Sequence, residues 1–485
     1  MTMLTYTQLL NDTLSIYSSD GPLAAFDYIE ERYQTVSGIL PQLFNFRYAF
    51  AAASGQKEKA LDIFEDAILS HGFWYNHDYL NSDDDLDILR NDPRFMHCLE
   101  ICKTREIEAK KASTFSYEFI EKATQMTLDQ HLIVFHGNQE NVQYTAPYWQ
   151  QTTTEQYDKV FYQSPTLDFT NGHLWLDSID GYGEIFSHLR QYKNRIMSGF
   201  SAGGHMALHS ALKHPEYTTG LILVAPWLPD LSMIESQISV LKENEIPLYI
   251  ICGDQDEDCL ECTEAFVALL EKNCIPYSYK KIAGLSHDYP VIFEKELKEG
   301  LRYIEGHHHI LRAIQKTVKT IKISTILDMG IGTGRLSAAL YDDGYKVTGI
   351  DYSKDMIDLA AKKMPCAELI LRNFKDGLPK QLSGQSYDAI ISSFAIHTLR
   401  DSEKLHLITD LYQHLSYGGV IIIGDTAFES KEALNSYLDS VCDPATSDKH
   451  YYCNESLAEE LKNMGINSSY EQVSCSTGLL KIIKV

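Results

Sequence analysis

Two stretches of this chain carry side chains whose order and spacing point to chemistry. The first is Gly199-Phe200-Ser201-Ala202-Gly203, set between a strand-like run and an amphipathic helix in RIMSGFSAGGHMALHSAL. Glycines on both sides of a serine tolerate the sharp, strained turn that lifts its hydroxyl to the top of a sheet. Partners follow in the order acid, then histidine: Asp256 in IPLYIICGDQDEDC and His287 in AGLSHDYP. Asp254 and Asp258 flank Asp256 as alternative acids. A neutral imidazole takes the serine proton, and a buried carboxylate fixes its tautomer. Upstream, LIVFHGNQEN places His136-Gly137-Asn138 after a strand. The N–H groups of Asn138 and Ala202 would form an oxyanion hole, the usual main electrostatic contribution in acyl transfer. The expected reaction is hydrolysis of an ester, thioester or amide.

The second stretch is TILDMGIGTGRLS, a buried-strand pattern that opens into a helix. Gly330, Gly332 and Gly334 permit a tight turn and close approach of a ligand to the backbone. A dinucleotide fingerprint needs a third glycine where Arg335 stands, so the spacing is GxGxG instead. Asp328 ahead of the loop would repel a pyrophosphate and suits a ligand bearing an ammonium group. Asp351 ends the next strand in VTGIDYS, where a carboxylate can accept both hydroxyls of a ribose. Asn373 and Phe374 follow the third strand, placed for the edge and face of an adenine. The fourth strand, in SYDAIISSFAIHTL, has Asp388 at its start and His397 just past its end. His397 is either a base for a hydroxyl or thiol substrate or a structural histidine at a strand end.

These residues need parallel sheets to hold them, and the chain supplies two. Residues 1–112 read as helical. Gly55, Ala60, Phe64 and Ala67 sit at the offsets of a tetratricopeptide helix pair, which offers a possible surface for protein contact. The plainer alternative is an amphipathic helix hairpin with no peptide-binding role. The acidic run Asn81–Asp87 is expected to be a solvated loop or helix start. From residue 113 to 304 short apolar runs alternate with helical stretches, and from 305 to 485 the alternation restarts. The expected architecture is α/β: a helical segment, then two parallel-sheet domains.

A net charge of −25 disfavours nucleic acid and anionic membrane surfaces as partners. There is no signal-peptide pattern and no apolar run long enough to span a bilayer. Ten cysteines over 485 residues are too sparse for a disulfide scaffold, so the reading is cytosolic and reduced. No metal is expected. Cys259-Leu260-Glu261-Cys262 is a lone CxxC, a zinc site would need two more ligands, and His307-His308-His309 reads as a helix start.

The motifs LDMGIGTG, VTGIDYS, the loop at Asn373, YDAIISSFAIHTL and LSYGGVIIIGDTAF resemble those of the class I S-adenosylmethionine-dependent methyltransferases. A group of small bacterial methyltransferases shares a similar FAIHTL…GDTAFE pattern. The resemblance implies a Rossmann-like fold with S-adenosyl-L-methionine as cofactor. Asp328, Gly330, Gly332 and Gly334 would hold its methionine part, Asp351 its ribose, and Asn373 would face adenine. Asn373 stands where an aspartate is common, and the region before Leu327 is short, so the neighbouring domain is expected to supply missing cover. The chain lacks a [DN]PP[YF] motif after the fourth strand, and Pro365-Cys366 precedes the third, which favours a small-molecule substrate over DNA.

The HGN, GFSAGG, GDQD and SHD motifs resemble the compact phospholipase/carboxylesterase branch of the α/β-hydrolases, in which Asp256 has the family spacing. The combined expectation is a multifunctional fusion of a serine hydrolase with a methyltransferase. The alternatives are a methyltransferase with an inactive hydrolase-fold binding module, and a helical-repeat scaffold with vestigial enzyme folds.

Overall fold

The computed structural model describes residues 4–122, 130–176, 182–273, 275–321, 323–440, 450–473 and 477–485. Residues up to Ala112 form helices whose starts are chemically marked. Thr5, Asn76 and Asp92 accept hydrogen bonds from backbone N–H groups of the first turns they precede. The helices Leu40–Ala53 and Lys57–Glu65 are joined at Gly55, whose φ of +81° favours glycine. Ala60, Phe64 and Ala67 are fully buried there. The Phe64 ring packs 5.0 Å from Tyr48 and 4.9 Å from Phe95. The acidic run forms a helix end and a short 3-10 turn, in which Asp83 caps the N–H of Asp85.

A seven-stranded sheet follows, in the order β1-β3-β2-β6-β7-β8-β9. Its strands are β1 (Ser116–Ile120), β2 (His131–Phe135), β3 (Asp158–Gln163), β6 (Arg195–Phe200), β7 (Thr218–Val224), β8 (Leu248–Gly253) and β9 (Tyr277–Ile282). A separate hairpin joins β4 (Thr166–Phe169) to β5 (Gly172–Leu174). β3, β2, β6 and β7 run parallel, and β1 is antiparallel at the edge. Strands covered on both faces read as continuous apolar runs. Every residue of β2, β6 and β8 is accordingly buried.

The second large sheet has the order β12-β11-β10-β13-β14-β17-β16, with β15 beside β14. It comprises β10 (Thr325–Met329), β11 (Lys346–Asp351), β12 (Glu368–Leu371), β13 (Tyr387–Ser393), β14 (Leu415–Phe428), β15 (Tyr452–Cys453), β16 (Ser468–Gln472) and β17 (Thr477–Ile483). The strands from β12 to β14 are parallel, and β17 is antiparallel to both its neighbours.

Both sheets contain a point where the chain order reverses. β2 lies between β3 and β6, and β10 lies between β11 and β13. The loops leaving adjacent strands diverge at such a point and open a crevice at the carboxyl ends.

By compactness the described chain divides into two units. One holds residues 1–238, 250–273 and 282–298, and the other holds 239–249, 274–281 and 299–485. The boundary expected at 304/305 falls inside one continuous helix, Phe293–Lys319, because its amphipathic period carries through Gly300 and Gly306 with no proline to stop it. No helix among the described residues is long and apolar enough to cross a membrane.

Phe64 is a fully buried ring packed between Tyr48 and Phe95. Phe64→Ala should cost about 3–5 kcal/mol locally. Native-state hydrogen exchange of the Lys57–Glu65 amides should accelerate by about a hundredfold or more.

Candidate active sites

Ser201 follows β6 and precedes the helix Ala202–Lys213, with φ +53° and ψ −123°. A non-glycine residue is strained there and persists only when its surroundings hold it. The holding comes from backbone contact. A Cβ on Gly199 would stand 2.3 Å from the Gly203 carbonyl carbon, and one on Gly203 would stand 2.2 Å from the Phe135 oxygen. Only glycine fits at either place.

The elbow brings three distant residues together. His287 Nε2 lies 3.0 Å from Ser201 Oγ, and His287 Nδ1 lies 3.0 Å from Asp256 Oδ2. The Asp256 side chain is fully buried, and its Oδ1 accepts the N–H groups of Asp258 and Cys259 at 3.1 and 2.9 Å. Of the flanking acids, Asp254 instead accepts the Gly284 N–H at 2.7 Å, and Asp258 is exposed. Burial pulls the His287 pKa down, but the hydrogen bond and charge of Asp256 outweigh it and raise the value above the ordinary 6.5.

The loop after β2 is held from several sides. His136 is fully buried, and burial pushes its pKa down to about 3, so the ring is neutral. Its Nδ1–H donates to the Gly137 carbonyl at 2.7 Å, while Nε2 accepts the Ser164 N–H at 3.1 Å. Glu140 Oε2 accepts from Gly137 N–H and Thr145 Oγ–H, each at 2.9 Å. Asn138 Oδ1 accepts the Trp175 N–H at 2.8 Å. Asn138 and Ala202 thus follow adjacent parallel strands, β2 and β6. No hydrogen bond among the described residues engages either N–H.

The first helix reaches the same site. Asn11 Nδ2 donates to the His287 carbonyl at 3.2 Å and to Ser286 Oγ at 3.3 Å. Thr5 Oγ donates to Asp288 Oδ2 at 2.7 Å. Thr5 and Asn11, at the start of the helical segment, are thus engaged with the histidine loop. Asn11, Thr5 and Glu140 carry no motif, and nothing in their spacing signals them.

In the second sheet the three loop glycines all have positive φ, between +53° and +77°. A Cβ on Gly330 would lie 2.4 Å from that of Ala395. Asp351 Oδ2 accepts the Gly332 N–H at 2.9 Å, which ties the end of β11 to the loop. Asp328 Oδ2 accepts from Ser337 Oγ at 2.6 Å. Its other oxygen, Oδ1, is buried with no hydrogen-bond partner among the described residues. Burial, with Asp351 and Glu245 nearby, pushes the Asp328 pKa up to about 7. Glu245 lies in the same compact unit and accepts from Thr333 Oγ at 2.5 Å. An orphaned carboxylate oxygen among further carboxylates fits an ammonium-bearing ligand and opposes a phosphate.

Of the two residues after the third strand, Phe374 departs from its expected part. The Asn373 Oδ1 already accepts the Lys375 N–H at 2.9 Å, which leaves its NH2 group to face a ligand. Phe374 is 8% exposed and belongs to the hydrophobic core, where its ring edge underlies the turn at Gly330. It supports the site from beneath. Asp388 serves the opposite end of the sheet, accepting from the N–H and hydroxyl groups of Ser324 and Thr325.

His397 is held by a residue the sequence did not single out. Its Nδ1 lies 2.8 Å from Oδ1 of Asp425, whose side chain is fully buried. Asp425 Oδ2 accepts the N–H groups of Ile396 and His397 at 2.8 and 3.1 Å. No hydrogen bond among the described residues engages His397 Nε2. A cavity of about 430 Å³ nearby is lined by Lys375, Thr398, Arg400, Glu403 and His450.

Comparison with known proteins agrees with this layout. Three families match in order: "A/B hydrolase-like, N-terminal domain" over residues 5–110, "Phospholipase/Carboxylesterase" over 182–307, and "Methyltransferase domain" over 326–419. An uncharacterized methyltransferase of Alkaliphilus oremlandii (strain OhILAs) is 32% identical over 164 residues, covering 34% of this chain and 70% of that protein. The uncharacterized methyltransferase YrrT of Bacillus subtilis (strain 168) is 33% identical over 174 residues, covering 36% and 73%. The crystal structure of an uncharacterized protein from Bacillus cereus ATCC 10987 is 38% identical, covering 62% of this chain and 99% of that one, with a TM-score of 0.36.

A methyltransferase domain thus follows a hydrolase domain of the phospholipase/carboxylesterase type. By its relatives, the chain belongs to the methyltransferase family.

A cation drawn to Asp328 favours its ionised form, so binding should release a proton. The affinity for S-adenosylmethionine should rise from pH 6 to pH 8 and then level off, because the free carboxyl titrates near 7. Calorimetry in buffers of different ionisation enthalpy measures that release, and Asp351→Ala should weaken binding at every pH.

Proposed function

We propose that the chain is a cytosolic, bifunctional enzyme in which residues 113–304 hydrolyse an acyl compound and residues 305–485 methylate a small molecule. Residues 1–112 complete the hydrolase. The observation that carries the hydrolase half is the unbroken Asp256–His287–Ser201 chain, with both links at 3.0 Å. His287 removes the Ser201 proton as the hydroxyl attacks the acyl carbon. The N–H groups of Asn138 and Ala202 receive the charge that develops on the carbonyl oxygen.

The methyltransferase half uses S-adenosyl-L-methionine, which supplies an electrophilic methyl group when bound. The loop at Gly330–Gly334 and Asp328 hold its methionine end, Asp351 holds the ribose, and Asn373 faces the adenine. Positioning alone can recover about 7–11 kcal/mol of the barrier to an in-line displacement. His397 accepts the proton of a hydroxyl or thiol at Nε2, with Nδ1–H held by Asp425. Lys375 and Arg400, lining a cavity of about 430 Å³ beside His397, suit a small substrate that also carries an anionic group.

Two measurements test these assignments. A fluorophosphonate probe should label Ser201 in the wild-type chain and fail on Ser201→Ala. Because His287 acts as a neutral base with a raised pKa, the labelling rate should climb with pH along a limb centred above 6.5. Asp256→Asn should slow labelling by about 10⁴ and move that limb down. Folded wild-type protein that resists the probe would refute the hydrolase assignment.

For the methyltransferase, isotope-labelled cofactor is incubated with a panel of hydroxy and mercapto acids and their uncharged amides. The acids should be methylated in preference. His397→Asn should lower turnover by about 10²–10⁴ while cofactor affinity stays constant. Equal turnover of His397→Asn and wild type would remove His397 from the mechanism.

A further inference from the structure

The spacing of Cys259 and Cys262 makes a lone CxxC, but the fold gives Cys259 other companions. Asp256, Cys259 and His287 each offer a ligand atom, and these atoms all lie within 4.8 Å of one another. Cys259 caps the helix Leu260–Lys272, which sets its thiol beside the carboxylate that its own N–H holds. Asp256 and Cys259 are buried, and the His287 side chain is 19% exposed, so the group opens to solvent on the imidazole side. A second thiol backs it: Cys252 Sγ donates to Asp256 Oδ2 at 3.7 Å.

This donor set has a chemical preference. One sulfur, one imidazole nitrogen and one carboxylate oxygen suit a borderline-soft ion, and oxygen-seeking Ca²⁺ or Mg²⁺ would avoid it. Zn²⁺ binds sulfur at about 2.3 Å, nitrogen at about 2.0–2.1 Å and oxygen at about 2.0–2.2 Å, so its tetrahedral donors stand about 3.3–3.7 Å apart. Atoms already within 4.8 Å of one another need to close by about 1 Å to reach that spacing. Three protein ligands with a fourth position open is an ordinary zinc arrangement. A water can take that position.

We propose that Asp256, Cys259 and His287 form a zinc site that switches off the serine hydrolase. Binding replaces the thiol proton with the metal and releases that proton to solvent. A neutral imidazole has one lone pair and one N–H. Zinc on either ring nitrogen takes the lone pair and leaves the proton on the other. His287 then has nothing with which to accept the Ser201 proton. Because the thiol must lose its proton, apparent zinc affinity rises with pH.

The effect on activity rests on the hydrolase assignment, whereas metal binding does not, and the experiment separates the two. Cobalt(II) chloride is titrated into the full chain under a phosphine reductant. Expected are d–d bands and a near-ultraviolet thiolate-to-cobalt band, both displaced by zinc chloride. The thiolate band should disappear in Cys259→Ala and Cys259→Ser, and it should persist in Cys366→Ala, which removes an exposed cysteine. Circular dichroism confirms that each variant folds.

In parallel, zinc chloride should slow fluorophosphonate labelling of Ser201 at least tenfold in the wild type, with recovery on EDTA. Cys259→Ser is compared with its own metal-free rate and should show no such slowing. A thiolate band that survives in both Cys259 variants overturns the site. Cobalt binding with metal-insensitive labelling overturns the inhibition. Cobalt binding to a chain that never labels leaves the metal site standing and removes the hydrolase assignment instead.

Discussion

A carboxylate taken out of water must be held by donors, and each candidate site in this chain is organised around one. Asp256 and Asp425 have fully buried side chains. Each gives one oxygen to two successive backbone N–H groups and the other to a histidine Nδ1. The backbone donors replace the lost hydration, and the histidine receives a fixed tautomer in return. The two imidazoles are therefore alike in what they offer, an Nε2 lone pair aimed away from the carboxylate. What differs is the atom placed opposite. In the first case it is the hydroxyl of the chain's own serine. In the second no hydrogen-bond partner among the described residues stands there.

The helical N-terminus gains a purpose from this arrangement. The histidine loop follows β9, and loops of this kind are seldom rigid by themselves. Asn11 and Thr5 pin it on both sides of His287. Glu140 pins the opposing loop through the Gly137 N–H. Both sides of the serine are thus fixed by side chains outside the triad, in keeping with the match of residues 5–110 to a hydrolase N-terminal domain.

What the sequence disclosed follows from how local each signal is. The serine elbow and the GxGxG loop are compact, because a tight turn imposes its residues within a few positions. Both sheets could be expected from their continuous apolar strands. The acid was narrower than a motif: three aspartates lay within five positions, family spacing favoured Asp256, and burial with the hydrogen bond to His287 sets it apart from the other two. Asp425 was illegible because it sits inside Leu415–Phe428, a run that reads as buried strand. Phe374 was expected at the ligand face because it neighbours Asn373, whereas a short 3-10 turn directs it into the core. Asn11 could not be found at all, since its partners lie some 275 residues away in sequence.

The strain at Ser201 bears on how such a domain could age. A non-glycine residue in this region of backbone space is less stable by about 1–3 kcal/mol than the same residue relaxed. Binding alone requires no such conformation. A chain that had lost its acyl chemistry could relieve the strain with one glycine at position 201, gaining stability at no functional loss. This chain still has serine there, at φ +53°, clamped by two glycines that admit no side chain. The tension is therefore a standing load on the fold, of a size that one substitution could discharge.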